Sequence, residues 1–194
     1  MIGLVGAAFL RTAGGYCRAV RSPNRVWTRL GTAALAAHVF YELAGGVAMP
    51  FASRIGPRGA AALWGAAAVV AYREAGRRPP SADPAFATLN GVYLSAVTAH
   101  FAGWPRTTRL GLPWLTECEG LSGRAIVPYN LILHVSAVAA LAGLAENRRG
   151  RPLGLLVPVA LVPWLVREQH REFSRLVEQA HREPGWWNRR LRAR

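Results

Sequence analysis

The sequence predicts an all-α fold, a polytopic membrane bundle of about five transmembrane helices with an amphipathic C-terminal helix. Three observations predict it. Long apolar runs approach the length of about 20 residues that crosses a bilayer. Short arginine-rich segments separate these runs, and 52% of the 194 residues are hydrophobic. The mean hydropathy of +0.14 is modest because arginines in the loops and the tail lower it.

The chain is expected to form one domain over residues 1–194. Residues 1–29 are predicted to be an interfacial N-terminal segment, because the apolar start lacks the basic region of a signal peptide. Residues 30–166 hold the predicted five-span bundle, and residues 167–194 form an amphipathic, basic tail. The apolar runs place the spans at 30–52, 55–72, 84–104, 125–145 and 152–166.

The C-terminal part of the chain alternates charged and apolar residues. Apolar residues recur at helical spacing over 164–182, which predicts an amphipathic helix on the membrane surface or in continuation of the fifth span. Trp186 and Trp187, followed by arginines, are typical of an interfacial anchor.

The net charge of +14 comes from 24 basic and 10 acidic residues. The basic residues bracket the apolar runs, so we expect membrane lipids with anionic headgroups as partners and no nucleic acid. All basic residues are arginine, which with the abundant alanine and glycine is typical of a bacterium with a GC-rich genome. We therefore expect the protein to be located in the bacterial cytoplasmic membrane. Cys17 and Cys118 form no CxxC pair and support neither a thiolate metal cluster nor a disulfide framework.

Glu42 is the most informative residue of the chain. It is the one charged residue in the first predicted span, where a carboxylate costs several kcal/mol and is a candidate for function. His38 lies one helical turn earlier and so projects from the same helix face. The pair alone offers too few ligands for a metal, so we expect no metal and no cofactor.

Further polar and aromatic residues converge on the same side of the membrane, because spans one and three run in the same direction and span four follows the next loop. They predict an apolar cavity with carboxyl groups at its polar end, suited to a lipophilic ligand. The acidic candidates are Glu117 and Glu119, and the substrate-binding candidates are Tyr41, His100, Phe101, Trp104, Trp114, Tyr129, Asn130 and Trp164.

Each of these residues also has a simpler interpretation. Glu117 and Glu119 would then be loop residues at the membrane interface, and Trp104 and Trp114 would belong to the aromatic belt of that interface. Asn130 and His134 would form hydrogen bonds between helices. A purely structural role is least expected for Glu42.

A cavity with a protonated carboxylic acid, a second carboxylate and an aromatic lining suits proton-initiated cyclisation or double-bond migration of an isoprenoid. A carboxylic acid in apolar surroundings keeps its proton and acts as a general acid. Aromatic faces stabilise carbocations. The chain has a single aspartate, Asp83, so it lacks the aspartate-rich motifs of soluble terpene synthases.

The motifs HVFYE at 38–42 and TECEG at 116–120 resemble the small bacterial integral-membrane terpene cyclases of indole-terpenoid pathways such as the drimentines. Those are functionally similar to the fungal membrane meroterpenoid cyclases. The resemblance implies cyclisation of a prenyl chain, of the farnesyl type, on an indole or other aromatic acceptor without change of mass. It also implies that Glu42 is the proton donor and Glu117 or Glu119 the second acid, supported by His38 and Asn130.

Two alternatives stay open. The His-x-x-x-Glu spacing is also similar to that of the sterol Δ8–Δ7 isomerase (emopamil-binding protein) family, which implies an isoprenoid isomerase. A non-catalytic binder or transporter of lipophilic molecules would use the same cavity without turnover.

Overall fold

The computed structural model describes residues 24–193, so the predicted N-terminal segment lies almost wholly outside the described residues. Within that range the chain is mostly helical, and the prediction of an all-α fold with five long helices is confirmed. The helices are α1 (Val26–Gly45), α2 (Ala52–Arg77), α3 (Asp83–Gly103), α4 (Ile126–Glu146) and α5 (Arg151–Arg182). α5 is one continuous helix that joins the predicted fifth span to the predicted amphipathic helix.

Five membrane spans were predicted, and two helical stretches of the described chain are long and apolar enough to cross a bilayer. These are Gly123–Glu146 and Arg148–Arg182. α1 and α3 carry polar residues within their length, including Glu42 and His100, which lowers their hydropathy. Length and composition therefore identify two candidate spans where the sequence predicted five.

Two small hairpins, which the sequence did not predict, fill the connection between α3 and α4. β1 (Arg106–Arg109) pairs with β2 (Leu112–Leu115), and β3 (Glu117–Cys118) pairs with β4 (Leu121–Ser122), both antiparallel. Two residues separate β3 from β4, and both have positive φ: 49° at Glu119 and 93° at Gly120. Such a turn matches the twist of the strands and favours glycine, so Glu119 is held in a strained backbone conformation.

A buried arginine joins four helices at the end of the bundle where α1 begins. Arg25 is 1% exposed, and its Nη2 lies 2.8 Å from Asp83 Oδ1. Its Nε donates to Asn147 Oδ1 at 2.9 Å, and its Nη1 donates to the carbonyl of Arg78 at 2.8 Å. A buried guanidinium requires such partners, so these contacts fix how the helix ends meet.

The C-terminal tail packs against the end of α1. The amide of Ala48 donates to the carbonyl of Trp187 at 2.7 Å, and the amide of Arg190 donates to that of Gly46 at 2.9 Å. Trp187 and Leu191 are buried, whereas Trp186 is exposed. Only one of the two tryptophans predicted as an interfacial anchor is therefore free to contact a membrane.

The close packing of α3 on α5 depends on glycines. A Cβ at Gly154 would lie 2.5 Å from the carbonyl oxygen of Ala87, and one at Gly91 would lie 2.4 Å from that of Gly154. At Gly65 in α2, the nearest atom to such a Cβ is 3.7 Å away, an ordinary contact.

We predict that Gly154→Ala destabilises the protein by about 1–3 kcal/mol, because the new methyl group forces two helix backbones apart. Gly65→Ala should be neutral or stabilising by up to about 1 kcal/mol, because alanine favours the helix. Thermal unfolding of the purified variants measures both. Equal melting temperatures for the two variants would contradict the close packing of α3 on α5.

Candidate functional site

The predicted pair on α1 faces the interior of the bundle. His38 is 3% exposed and Glu42 is 1% exposed, and His38 Nε2 lies 2.9 Å from Glu42 Oε1. Tyr129 of α4 reaches the same oxygen: its hydroxyl donates to Glu42 Oε1 at 2.5 Å and lies 3.0 Å from His38 Nε2. The carboxylate, imidazole and phenol therefore form one buried hydrogen-bonded group.

His100 of α3 brings a second imidazole to this group. Its Nε2 lies 3.7 Å from Glu42 Oε1 and 4.0 Å from Glu119 Oε1. Its Nδ1 lies 2.7 Å from the carbonyl oxygen of Ala96, which can only accept, so Nδ1 carries a hydrogen. His100 therefore directs its Nε2 towards the two carboxyl groups. We call His38, Glu42, His100 and Tyr129 the polar cluster.

Two atoms of the polar cluster are buried without a hydrogen-bond partner among the described residues, His38 Nδ1 and Glu42 Oε2. Buried polar atoms are normally paired, and leaving one unpaired costs about 1–3 kcal/mol. These two atoms of the polar cluster are therefore available to bind a proton, an ion or a ligand.

Glu119 approaches the polar cluster from the β3–β4 turn. Burial, together with the nearby carboxylate of Glu42, raises the pKa of Glu119 to about 8. The carboxyl group therefore carries its proton at neutral pH, as a general acid requires. Glu117, the alternative candidate, lies two residues earlier on β3, where it pairs in register with Ser122. It is not among the residues that line the cavity next to the cluster.

A largely apolar cavity of about 350 Å³ adjoins the polar cluster. His38, His100 and Glu119 form part of its wall, whereas Glu42 and Tyr129 lie behind the two imidazoles. The cavity is enclosed by α1, α2, α3 and α5. Its aromatic and aliphatic lining includes Phe51, Trp64, Trp164, Phe173, Leu35, Val39 and Leu176.

Charged residues of α2 and α5 also border the cavity. Arg54 Nη2 lies 2.8 Å from Glu168 Oε1, and Glu172 accepts from the hydroxyl of Ser53 at 2.7 Å. An elongated ligand in this cavity would meet acid and imidazole groups from the polar cluster and Glu119, and charged side chains from Arg54 and its partners.

The residues predicted to bind substrate separate into three groups: those that line the cavity, one that lies behind the polar cluster, and those that pack elsewhere. His100 and Trp164 line the cavity, and Tyr129 supports the polar cluster from behind. Trp104 is buried against the rings of His170 and Phe173. Four more residues also pack outside the cavity lining. Phe101 and Trp114 flank the ring of His134. The hydroxyl of Tyr41 donates to the carbonyl of Ala125 at 2.8 Å, and the side-chain amide of Asn130 bonds both backbone groups of Leu115.

The aromatic cavity residues that the sequence did not predict as site residues are Phe51, Trp64 and Phe173. Phe173 follows the apolar spacing of the C-terminal helix, but only the continuous course of α5 brings that face to the cavity. Phe51 and Trp64 stack on each other with ring centroids 6.2 Å apart, and no motif marks them.

Comparison with known proteins finds no matching family model, curated protein or solved structure. The resemblance to membrane terpene cyclases therefore stays a prediction.

We predict that Tyr129→Phe lowers the free energy of unfolding by about 1.5–3 kcal/mol, because the ring remains while a hydrogen bond to the Glu42 carboxylate is lost. Tyr93→Phe is the control, since its hydroxyl lies 2.9 Å from Thr32 Oγ1 in another part of the bundle. In protein labelled with ¹⁵N-histidine, the first variant should shift the ring resonances of His38 and the second should not. Unchanged His38 resonances in Tyr129→Phe would contradict the hydrogen-bonded cluster.

Proposed function

We propose that the chain is an integral membrane enzyme that protonates an isoprenoid alkene or epoxide and cyclises it without change of mass. The observation that carries this proposal is the position of the polar cluster and Glu119 at the wall of a largely apolar cavity. The proposed substrate is a prenyl chain of the farnesyl type on an indole or another aromatic acceptor. The volume of about 350 Å³ lies within the range of about 300–1,000 Å³ typical of small-molecule sites.

The distribution of side chains supports placing the helices in a membrane. Several polar side chains are fully buried between helices, where they bond one another and the backbone, as in membrane bundles. They are Thr28, Asn90, Ser95, Asn130, Ser136 and Asn147. Large aliphatic side chains point outward instead, among them Val69, Val70, Val138, Leu141, Leu153, Leu156 and Val159. A hydrocarbon solvent accommodates such an apolar surface, which in water would be a large exposed patch.

In the proposed reaction Glu119 or His100 gives its proton to one carbon of the alkene, and the neighbouring carbon becomes a cation. The next double bond supplies the electron pair that closes the ring. A cluster nitrogen or carboxylate removes a proton from the product cation, so the composition does not change. The π-faces of Trp164 and Phe173, which border the cavity, stabilise the intermediate cation.

In this proposal Glu42 acts through the two histidines. The sequence suggested that Glu42 itself protonates the substrate. Because its carboxylate lies behind His38 and His100, we assign it the role of orienting the imidazoles that face the cavity.

An isoprenoid isomerase would use the same first proton transfer and differ only in the fate of the cation. A non-catalytic binder of lipophilic molecules is the alternative from another class, and the apolar lining of the cavity is the observation that favours it. Turnover separates the enzyme from the binder.

We predict that Glu119→Gln lowers turnover by about 10²–10⁴-fold, the usual contribution of a general acid, while substrate binding is retained. Glu42→Gln should also lower turnover, because the imidazoles lose the carboxylate that orients them. Glu178→Gln is the matched control, since Glu178 is exposed on α5 and pairs with Arg182. Membranes that contain each variant are incubated with farnesylated indole or diketopiperazine substrates and their epoxides. Liquid chromatography with mass spectrometry detects a new product of unchanged mass.

Full turnover in Glu119→Gln would remove that residue from the proposed chemistry. Tight binding by the wild-type protein without any product across the substrate panel would favour the binder.

A further inference from the structure

The polar cluster contains a set of side chains that is known from transition-metal sites. His38, Glu42 and His100 each offer one ligand atom, these atoms lie within 4.8 Å of one another, and all three residues are buried. Two imidazoles and one carboxylate form the protein ligands of many catalytic zinc sites. The sequence indicated only the pair on α1, and the fold adds His100 from α3 as the third ligand.

The distances suit a small divalent ion. Bonds of about 2.0 Å in tetrahedral geometry place neighbouring ligand atoms about 3.3 Å apart. Glu42 Oε1 lies 2.9 Å from His38 Nε2 and 3.7 Å from His100 Nε2, so the observed separations bracket that value. Side-chain movements of less than 1 Å, roughly, would give the required spacing.

The surroundings orient these ligands. His100 Nδ1 donates to the carbonyl of Ala96 at 2.7 Å, which leaves the lone pair of Nε2 directed at the cluster, as is usual for a metal-bound histidine. Glu42 Oε2 is a buried acceptor with no partner among the described residues. A cation beside the carboxylate would satisfy this oxygen.

We propose that His38, Glu42 and His100 bind one divalent transition metal of the zinc class, with an open coordination position towards the cavity. The open position follows because both histidines line the cavity. Metal and proton compete for the same lone pairs of these three residues, so a bound metal excludes protons from them. The metal site stands on the geometry of the cluster and holds whether or not the proposed reaction is correct.

The test uses the full chain, purified in detergent without a histidine tag and stripped with a chelator. Zn²⁺ is titrated in competition with a chromogenic chelator, in the absence of substrate. We expect one strong site per chain, weakened at least about 10-fold in His100→Gln and in Glu42→Gln.

His134→Gln is the control, because His134 makes the same bond to a carbonyl one turn earlier, with Nδ1 2.7 Å from the oxygen of Asn130. It has no partner carboxylate within ion-pair distance in the described chain, and its substitution should leave Zn²⁺ affinity unchanged. Absence of a strong site in the wild-type protein, or equal weakening in His134→Gln and His100→Gln, would overturn the proposal.

A second measurement needs no variant. Co²⁺ bound to two imidazoles and a carboxylate in a site with few ligands absorbs visible light more strongly than the hydrated ion. We expect this absorption in the wild-type protein, abolished by Zn²⁺ and unaffected by Mg²⁺ or Ca²⁺, which prefer oxygen ligands. A spectrum that matches the hydrated ion would overturn the site while leaving the cyclisation test unaffected.

Discussion

The buried carboxylate of Glu42 joins three helices of the bundle, α1, α3 and α4. A carboxylate cannot remain buried without partners, and α1 supplies only His38. Tyr129 must come from α4 and His100 from α3, so the packing of α1 against both helices is tied to this one side chain. At the opposite end of α1, Arg25 imposes a similar requirement on the ends of α2, α3 and α4. Two buried charges, Glu42 within α1 and Arg25 directly before it, thus hold this helix against its neighbours at both ends.

The polar cluster and the cavity are two consequences of the same arrangement. α4 and the β3–β4 turn close one side of the cluster, while the long α5 crosses the other side at a distance that leaves room for a ligand. Groups that can carry a proton therefore line a cavity whose other walls are apolar and favour a lipophilic ligand. This division between polar wall and apolar volume is what cation chemistry on an isoprenoid requires, because water would trap the intermediate. The same lone pairs, without their protons, make a metal site.

The sequence predicted the local features well and the long-range ones poorly. The pairing of His38 with Glu42 follows from helical spacing, and the five helices follow from the apolar runs. Tyr129 was expected to contact substrate, but helical spacing gives no information on which helix faces Glu42. The choice between Glu117 and Glu119 depends on a left-handed turn two residues long, which hydrophobic periodicity does not detect. The apolar runs left open whether the amphipathic helix continues the fifth span, and α5 is continuous despite Pro158 and Pro163.

The proposed reaction begins with transfer of a proton from the protein to the substrate, and incorporation of deuterium from the solvent into the product detects this transfer. Membranes with the wild-type protein, equilibrated in D₂O, are incubated with the prenylated substrate that gives a product of unchanged mass in ordinary water. With an alkene substrate we expect each product molecule to carry one deuterium atom, bound to the carbon that receives the first proton. An epoxide takes its proton on oxygen, where it exchanges with solvent, so the alkene is the substrate used. A cyclised alkene product without carbon-bound deuterium would contradict initiation by the polar cluster and Glu119.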